Sequence, residues 1–560
     1  DTDTDTDTDT DTDTDTDVDV VREGLDYPTE SMMVAVASDW SVQPIFTVGN
    51  TVSGYVAPGI LDGIGAYEFD DDTVRVLINH ELLNFRGYAY DVTDGGTGSF
   101  SMVGARVSYF DIDKGSREII DAGLAYDTIY TAEGTVATDA SFLANDFSGF
   151  SRFCSSALFE GLEFDGARGI EDTIYFTGEE DGGFFNGVGG AVWALDVDNN
   201  NFWAVPAMGR GAWENVTQLD TGDASTVAFI LADDSSPYTF NGEDTDALAI
   251  PLYLYIGTKN SSGNFLERNG LAGGDLYVWV ADDGSTVPSD FAGAGSSKAG
   301  TWVQIDNARS TSAGSEDGDD GYDEYGYPTQ TTLVNRAVAA GRFGFSRPED
   351  AATNPNDGSV VVLASTGVDT YDVQEDGNGS DSFGTLYIID TDFSADPPTA
   401  TVEVLYDGDE DVDNRAIRSP DNLDWADDGL IYVTEDEAEE QTLSGEQLFN
   451  DGATNTNEAG AVVIDPADGA ITRIANIDRS VILDPTTIAT PIDTDDGRPG
   501  EWESSGILDV STLFGEDAGT LLLIDVQAHG IEDQTDDNPA SRINDNDLVE
   551  GGQLLFLQKD

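Results

Sequence analysis

Two histidines, one cysteine and a few paired carboxylates are the residues of this 560-residue chain whose types and places could do chemistry. His80 and His529 end two short apolar runs, Val74-Arg-Val-Leu-Ile-Asn-His-Glu81 and Leu521-Leu-Leu-Ile-Asp-Val-Gln-Ala-His529. A lone histidine is most often packed or hydrogen-bonded, but two of two at matching strand ends are candidates for a site. Cys154 lies in Phe150-Ser-Arg-Phe-Cys-Ser-Ser156. Its ordinary reading is an inert buried thiol. Arg152, two residues earlier, suggests the alternative, because a nearby cation favours the thiolate that binds metals. Glu179-Glu180 and Glu435-Asp436 end two further apolar runs. Acidic pairs are common in a chain with 110 Asp and Glu, so their placement carries the signal rather than their existence. Arg347, in Gly341-Arg-Phe-Gly-Phe-Ser-Arg-Pro-Glu-Asp350, is either a salt-bridge partner or a bidentate anion clamp. Asp407-Gly-Asp-Glu-Asp-Val-Asp413 misses the EF-hand pattern, which needs Gly at the sixth position, and reads as a solvated loop or a weak Ca²⁺ site. There is no Gly-Lys-Ser/Thr phosphate loop, no His-Glu-x-x-His and no Gly-x-Ser-x-Gly.

The elements that must position these residues repeat. Six apolar runs end near residues 80, 180, 259, 365, 435 and 528, and each is followed by a second run opening at Gly104, Gly190, Gly274, Gly384, Gly460 or Gly552. Several continue through a turn into a return strand, while amphipathic helical periodicity is hard to find. This spacing predicts an all-β fold, a six-bladed β-propeller with long loop insertions. The unbroken apolar character of the first run suits a strand buried on both faces near the axis. If these inner strands run the same way, Glu81, Glu179, Glu180, Lys259, Glu435, Asp436 and His529 converge on one mouth of the channel.

The formal charge is −87, with 110 acidic against 23 basic residues, which argues against nucleic acid as a partner. Such a surface suits a salt-adapted protein, and its carboxylates suit bound Ca²⁺. With 39% hydrophobic residues the chain can build a large core, and no run of about 18 apolar residues suggests a membrane span. A single cysteine excludes an intrachain disulfide framework. We expect a secreted, cell-surface or periplasmic protein from which a targeting segment has been removed. Residues 1–18, alternating Asp and Thr and then Asp and Val, read as an acidic tail ahead of a single propeller domain over 19–560.

Eight short segments in order resemble the PhoX-type alkaline phosphatases. They are Gly59-Ile-Leu-Asp-Gly-Ile-Gly-Ala66, Asn79-His-Glu81, Arg152-Phe-Cys-Ser155, Thr177-Gly-Glu-Glu180, Met208-Gly-Arg-Gly-Ala-Trp-Glu214, Arg347-Pro-Glu349, Pro420-Asp-Asn422 and Gln527-Ala-His529. The resemblance implies a six-bladed propeller and a cluster of Ca²⁺ and Fe³⁺ at one mouth. It implies metal ligands at Glu81, Cys154, Glu180, Glu214, Glu349 and Asp421, with Arg347 on the phosphate. Lys259 is a further expected substrate contact. The implied function is metal-dependent hydrolysis of phosphate monoesters. The alternative is a non-catalytic Ca²⁺-binding surface-layer or filament protein on the same propeller, with Ca²⁺-mediated self-assembly.

Overall fold

The computed structural model describes residues 30–143, 148–182, 188–235, 250–311, 321–367, 381–436, 448–449, 453–480, 500–531 and 546–560, with the backbone of 21–22. The Asp-Thr tail lies outside them. The fold is nearly all-β. Six sheets stand around one axis, antiparallel but for Thr128–Tyr130, which pairs parallel with Asn201–Ala204, and we number them as blades 1 to 6 by their innermost strands. These strands are Leu61–Asp70, Phe153–Phe159, Trp213–Leu219, Pro348–Thr353, Pro420–Trp425 and Glu503–Asp509. Each packs against the next, and the sixth packs against the first, so the ring is closed.

Side-chain alternation builds the interfaces between blades. In the second strand of blade 4, Val361 and Leu363 join the core shared with blade 3. Their neighbours Val362 and Ala364 join the core shared with blade 5. Successive side chains of a strand point to opposite faces, so a strand covered on both sides reads as a near-continuous apolar run. That is why the second strands are the most continuously hydrophobic segments of the chain.

The predicted repeat is present, with one correction of depth. The runs ending near 80, 180, 365, 435 and 528 are second strands, not innermost ones. The innermost strands carry more polar residues because one end of each lines the channel mouth. In blade 3 the matching second strand is Thr226–Asp233, and the run ending at Lys259 is the third strand, Tyr253–Thr258. That shift reverses the direction of the run. Lys259 therefore sits at the far end of its blade, where Nζ is 2.8 Å from Glu171 and donates to the Gly169 carbonyl at 2.7 Å.

The chain closes the ring by returning its N-terminal part to the last blades. Trp40–Thr47 pairs antiparallel with Gly551–Lys559 at the outer edge of blade 6, and Met33–Ala35 does the same beside Ala470–Ile477 in blade 5. Pro44 is tolerated because this is an edge strand. The outermost strands of blades 3 and 4, Ser297–Ile305 and Thr399–Asp407, pair with each other. One helix of three turns, Gln330–Ala340, lies outside the strand pattern, capped by the Thr329 side chain and ended by left-handed Gly341.

Phe46 links the closing strand to blade 1, with its ring centroid 4.9 Å from that of Phe110. Phe46→Ala is expected to destabilise the protein by about 3–5 kcal/mol in equilibrium denaturation, the usual cost of deleting a buried ring. A loss below about 1 kcal/mol would mean that the closing strand contributes little to holding the ring.

Candidate metal centre

All six innermost strands begin at the same mouth of the channel, and each carries a β-bulge just inside it. The bulged residues are 62–63, 154–155, 214–215, 349–350, 421–422 and 505–506, each pair facing a single residue of the second strand. A bulge re-aims a side chain and bends the strand. The first residue of each bulge forms a ring: Asp62, Cys154, Glu214, Glu349, Asp421 and, in blade 6, Ser505. Two residues earlier, in four blades, the backbone is left-handed at a non-glycine residue: Ile60, Arg152, Arg347 and Ser419. That conformation is unfavourable for side-chain-bearing residues and recurs at functional sites.

A second set stands just beyond the ends of the second strands. Backbone N–H groups of Glu81, Glu180, Asp234, Thr366 and Asp436 donate to the carbonyls of Ile60, Arg152, Ala212, Arg347 and Ser419, all at 2.8–2.9 Å. The same bond in five blades fixes these side chains at equivalent places. Gln527 fills the sixth, its amide 3.2 Å from Glu81 and 3.3 Å from both Asp62 and Ser505. Gly178, beside this set, must be glycine, since a Cβ there would lie 2.3 Å from the Trp213 carbonyl oxygen.

The two sets enclose a cavity of about 50 Å³ lined by nine carboxylates, Cys154, Arg152 and Arg347. Ligand atoms of Asp62, Cys154 and Glu214 lie within 4.8 Å of one another, as do those of Glu81, Cys154 and Glu180, and of Glu180, Glu214 and Asp234. Arg152 reaches Glu81 at 2.8 Å and also pairs with Glu180. Arg347 forks onto Asp234 through Nε at 2.9 Å and Nη2 at 3.0 Å, and reaches Glu349 at 2.6 Å and Asp436 at 3.2 Å. Below the ring the channel opens into a separate cavity of about 280 Å³, with Ile64, Ala351, Leu423 and Ile507 in its wall.

Burial and repulsion push Asp62, Glu180, Glu214, Glu349 and Asp421 toward their neutral forms, whereas Glu503, against its burial, is held below the usual range by His529. Asp62 is held well above the usual carboxylate range by burial and then by Glu81 and Glu503. Glu214 is raised by burial, Glu180 and Asp62. Asp421 is raised by burial, Glu349 and Glu503. Glu180 is raised by burial against the pull of Arg152, and burial takes Glu349 up to about 8 despite Arg347. Cys154 Sγ lies 2.8 Å from Glu180 Oε2 as a donor. Burial and three glutamates raise that thiol, outweighing Arg152, so the expectation that Arg152 alone would favour a thiolate does not hold. Carboxyls and a thiol packed this closely fit cations well, because only a multivalent cation offers every one of them a partner in its ionised form.

Of the residues named from the sequence, Glu81, Cys154, Glu180, Glu214, Glu349, Asp421 and Arg347 all line this cavity, and Lys259 does not. His80 is fully buried between Ser108 Oγ at 2.7 Å and the Gly59 carbonyl at 3.2 Å, and burial lowers it to about 3, so it is a neutral core residue. His529 is one step removed from the ring, 2.8 Å from Glu550 and 3.7 Å from Glu503. The sequence reading did not single out Asp62, Asp234 or Glu503. Aligning the second strands on Thr226–Asp233 would have found Asp234, and the shared strand start would have found Asp62.

Raised carboxyls have a consequence for stability. The unfolded chain releases those protons near pH 4.5, whereas folded Glu349 holds its proton to about 8. The metal-free protein therefore loses stability as pH rises through this window. Between pH 6 and 8 ordinary carboxylates are already ionised, so a Tm that falls there in EDTA reports the cluster. Excess Ca²⁺ should flatten or reverse the slope, because cations bind the deprotonated ligands. A metal-free Tm that rises from pH 6 to 8 would contradict this picture.

A sequence profile of the family Alkaline phosphatase PhoX matches residues 207–480. No curated protein matches the chain. Among solved structures, Pseudomonas fluorescens PhoX in complex with vanadate, a transition state analogue, is similar with a TM-score of 0.55 and 15% identity, over 96% of this chain and 98% of that one. Prolyl oligopeptidase B from Galerina marginata aligns at 10% identity over 84% of this chain and 56% of that one, with a TM-score of 0.23 too low to bear on the fold. The profile spans just under half of the chain, and the solved PhoX shares the propeller over nearly the whole of both chains, so this chain is similar to the PhoX alkaline phosphatases in that stretch of sequence and in its fold.

Proposed function

We propose that the mouth of the propeller is the active site of a phosphatase that hydrolyses phosphate monoesters with a cluster of Ca²⁺ and Fe³⁺. The observation that carries this reading is the pair of concentric acidic sets with one thiol and two arginines around a single small cavity. Asp62, Glu81, Glu180, Glu214, Glu349 and Asp421 would hold the harder ions, and Cys154 would give iron its one soft ligand. Bound there, such ions supply Lewis-acid stabilisation of phosphoryl charge and a source of activated water. They also reverse the local field, so a chain of this net charge can still accept a dianion.

The protein's own groups orient the substrate. Asp234 takes the Nε–Nη2 edge of Arg347 in a two-point fork, Nη2 also reaches Glu349 at 2.6 Å, and Nη1 makes only the longer contact, 3.2 Å to Asp436. Nη1 is thus the donor suited to a phosphoryl oxygen, held in a fixed plane by the other two nitrogens. Arg152, at the equivalent place in blade 2, presents a second guanidinium to the same cavity. Thr366 bonds Glu349 and donates to the Pro420 carbonyl at 2.6 Å, which ties the carboxylate of blade 4 to the start of blade 5. We place the enzyme outside the cytoplasm, supported by the family and the acidic surface. Among the described residues no helix is long and apolar enough to cross a membrane.

The test is hydrolysis of p-nitrophenyl phosphate with and without EGTA, with vanadate as inhibitor. Arg347→Lys should keep the metal content and lower kcat/KM by about tenfold or more, roughly 1.5–3 kcal/mol for a lost charged hydrogen bond. Inhibition by inorganic phosphate should weaken in parallel. Glu349→Gln should instead strip metal. Equal metal loss in both variants would sink the clamp role, and calcium without any hydrolysis would favour the non-catalytic alternative.

A further inference from the structure

His529 stands beside the mouth cavity, in a row of three side chains across the end of blade 6. Glu503 opens the innermost strand, His529 follows the second, and Glu550 precedes the third, Gly551–Lys559. Glu503 lines the cavity. Nδ1 of His529 is 2.8 Å from Glu550 Oε2, and Nε2, on the cavity side, is 3.7 Å from Glu503 Oε2. A carboxylate only accepts, so the bond to Glu550 puts a proton on Nδ1 and turns the other edge of the ring toward the mouth. Anions on both sides favour the doubly protonated ring. The side chain is 21% exposed, so it also meets solvent. Glu550 is firmly placed. Val549, just before it, is fully buried and left-handed, with φ of 68°, a costly conformation for a β-branched residue. The Glu550 carbonyl packs so closely on Gly59 that a Cβ there would collide with it.

A cavity of about 50 Å³ is far smaller than the roughly 300 Å³ of a pocket that encloses an organic ligand, so the alcohol part of an ester stays on the rim. An alkoxide leaves poorly unless a proton reaches its oxygen. The acids of the ring are given over to cations, arginine keeps its proton, and the chain's other imidazole, His80, is a neutral core residue. We propose that His529 is the general acid that protonates the leaving alcohol oxygen, with Glu550 as the residue that orients it; this rests on the phosphatase reading. A water oxygen bonds to phosphorus and sheds one proton to solvent. The P–O ester bond breaks with its electron pair on the alcohol oxygen, and the Nε2 proton passes to that oxygen. The neutral imidazole then regains a proton from solvent.

The experiment uses the full metal-loaded chain, wild type and His529→Gln. It compares kcat/KM on p-nitrophenyl phosphate, whose phenolate leaves without help, with kcat/KM on glycerol 2-phosphate, whose alkoxide does not. The variant should lose about a hundredfold or more on the alkyl ester and a much smaller factor on the aryl ester, with metal content by elemental analysis unchanged. Glu550→Gln should show the same bias with a smaller loss, and it carries the test if His529→Gln does not fold. Equal losses on the two esters, or no loss on either, would overturn the proposal and leave the phosphatase reading standing. Wild-type protein that hydrolyses neither ester would take down both.

Discussion

Like charges forced together at the mouth of a closed ring are the constraint around which this molecule is organised. Nine carboxylates share a cavity of about 50 Å³ with a thiol and only two guanidiniums. In water such groups would move apart; here six blades hold them, and each blade is gripped on both faces by its neighbours. The energy that keeps the acids close is the apolar burial of the second strands and the interfaces between blades, far from the site itself. Without cations several of the acids answer by keeping protons, as Glu349 does at about 8. With multivalent cations the same closeness becomes the source of affinity.

Repetition makes the ring economical. One local device recurs: a bulge whose first residue points into the mouth, often preceded by a left-handed residue, with a carbonyl that fixes the end of the second strand. Substituting within that frame sets the chemistry. Cys154 in blade 2 softens one position, Ser505 in blade 6 removes a charge, and Thr366 in blade 4 and Gln527 in blade 6 replace acids with neutral hydrogen-bonding groups. Arginine at the left-handed position of blades 2 and 4 places both cations on the rim. These are single-residue choices on a common scaffold, which is how a propeller acquires a specific site.

Much of this was legible in the sequence, and the gaps have physical causes. Second strands are the most continuously apolar segments, so hydrophobicity makes them read as innermost; the true innermost strands are interrupted by the polar residues of the ring. Blade 3 has two buried strands in succession, Thr226–Asp233 and Tyr253–Thr258, and hydrophobicity cannot say which is second. Choosing the wrong one sent Lys259 to the mouth and hid Asp234. His80 shared its strand end with Glu81, yet alternation points one side chain into the core and the next toward the cavity. Cys154 was found by its motif, while its protonation depended on Glu81, Glu180 and Glu214, which come from three other places in the chain. Asp62 is marked by the start of its strand and lies in the segment Gly59–Ala66, whereas nothing local separates Glu503 from the other acids of so acidic a chain.

The claim that the ring is a mixed iron and calcium centre with one sulfur ligand is tested most directly by the iron K-edge X-ray absorption spectrum of the purified protein. The account predicts iron with oxygen neighbours and a single sulfur neighbour, and a Cys154→Ser variant in which the sulfur contribution and the visible charge-transfer colour disappear together. Protein that carries no iron, or iron whose spectrum is unchanged by the loss of Cys154, would contradict it.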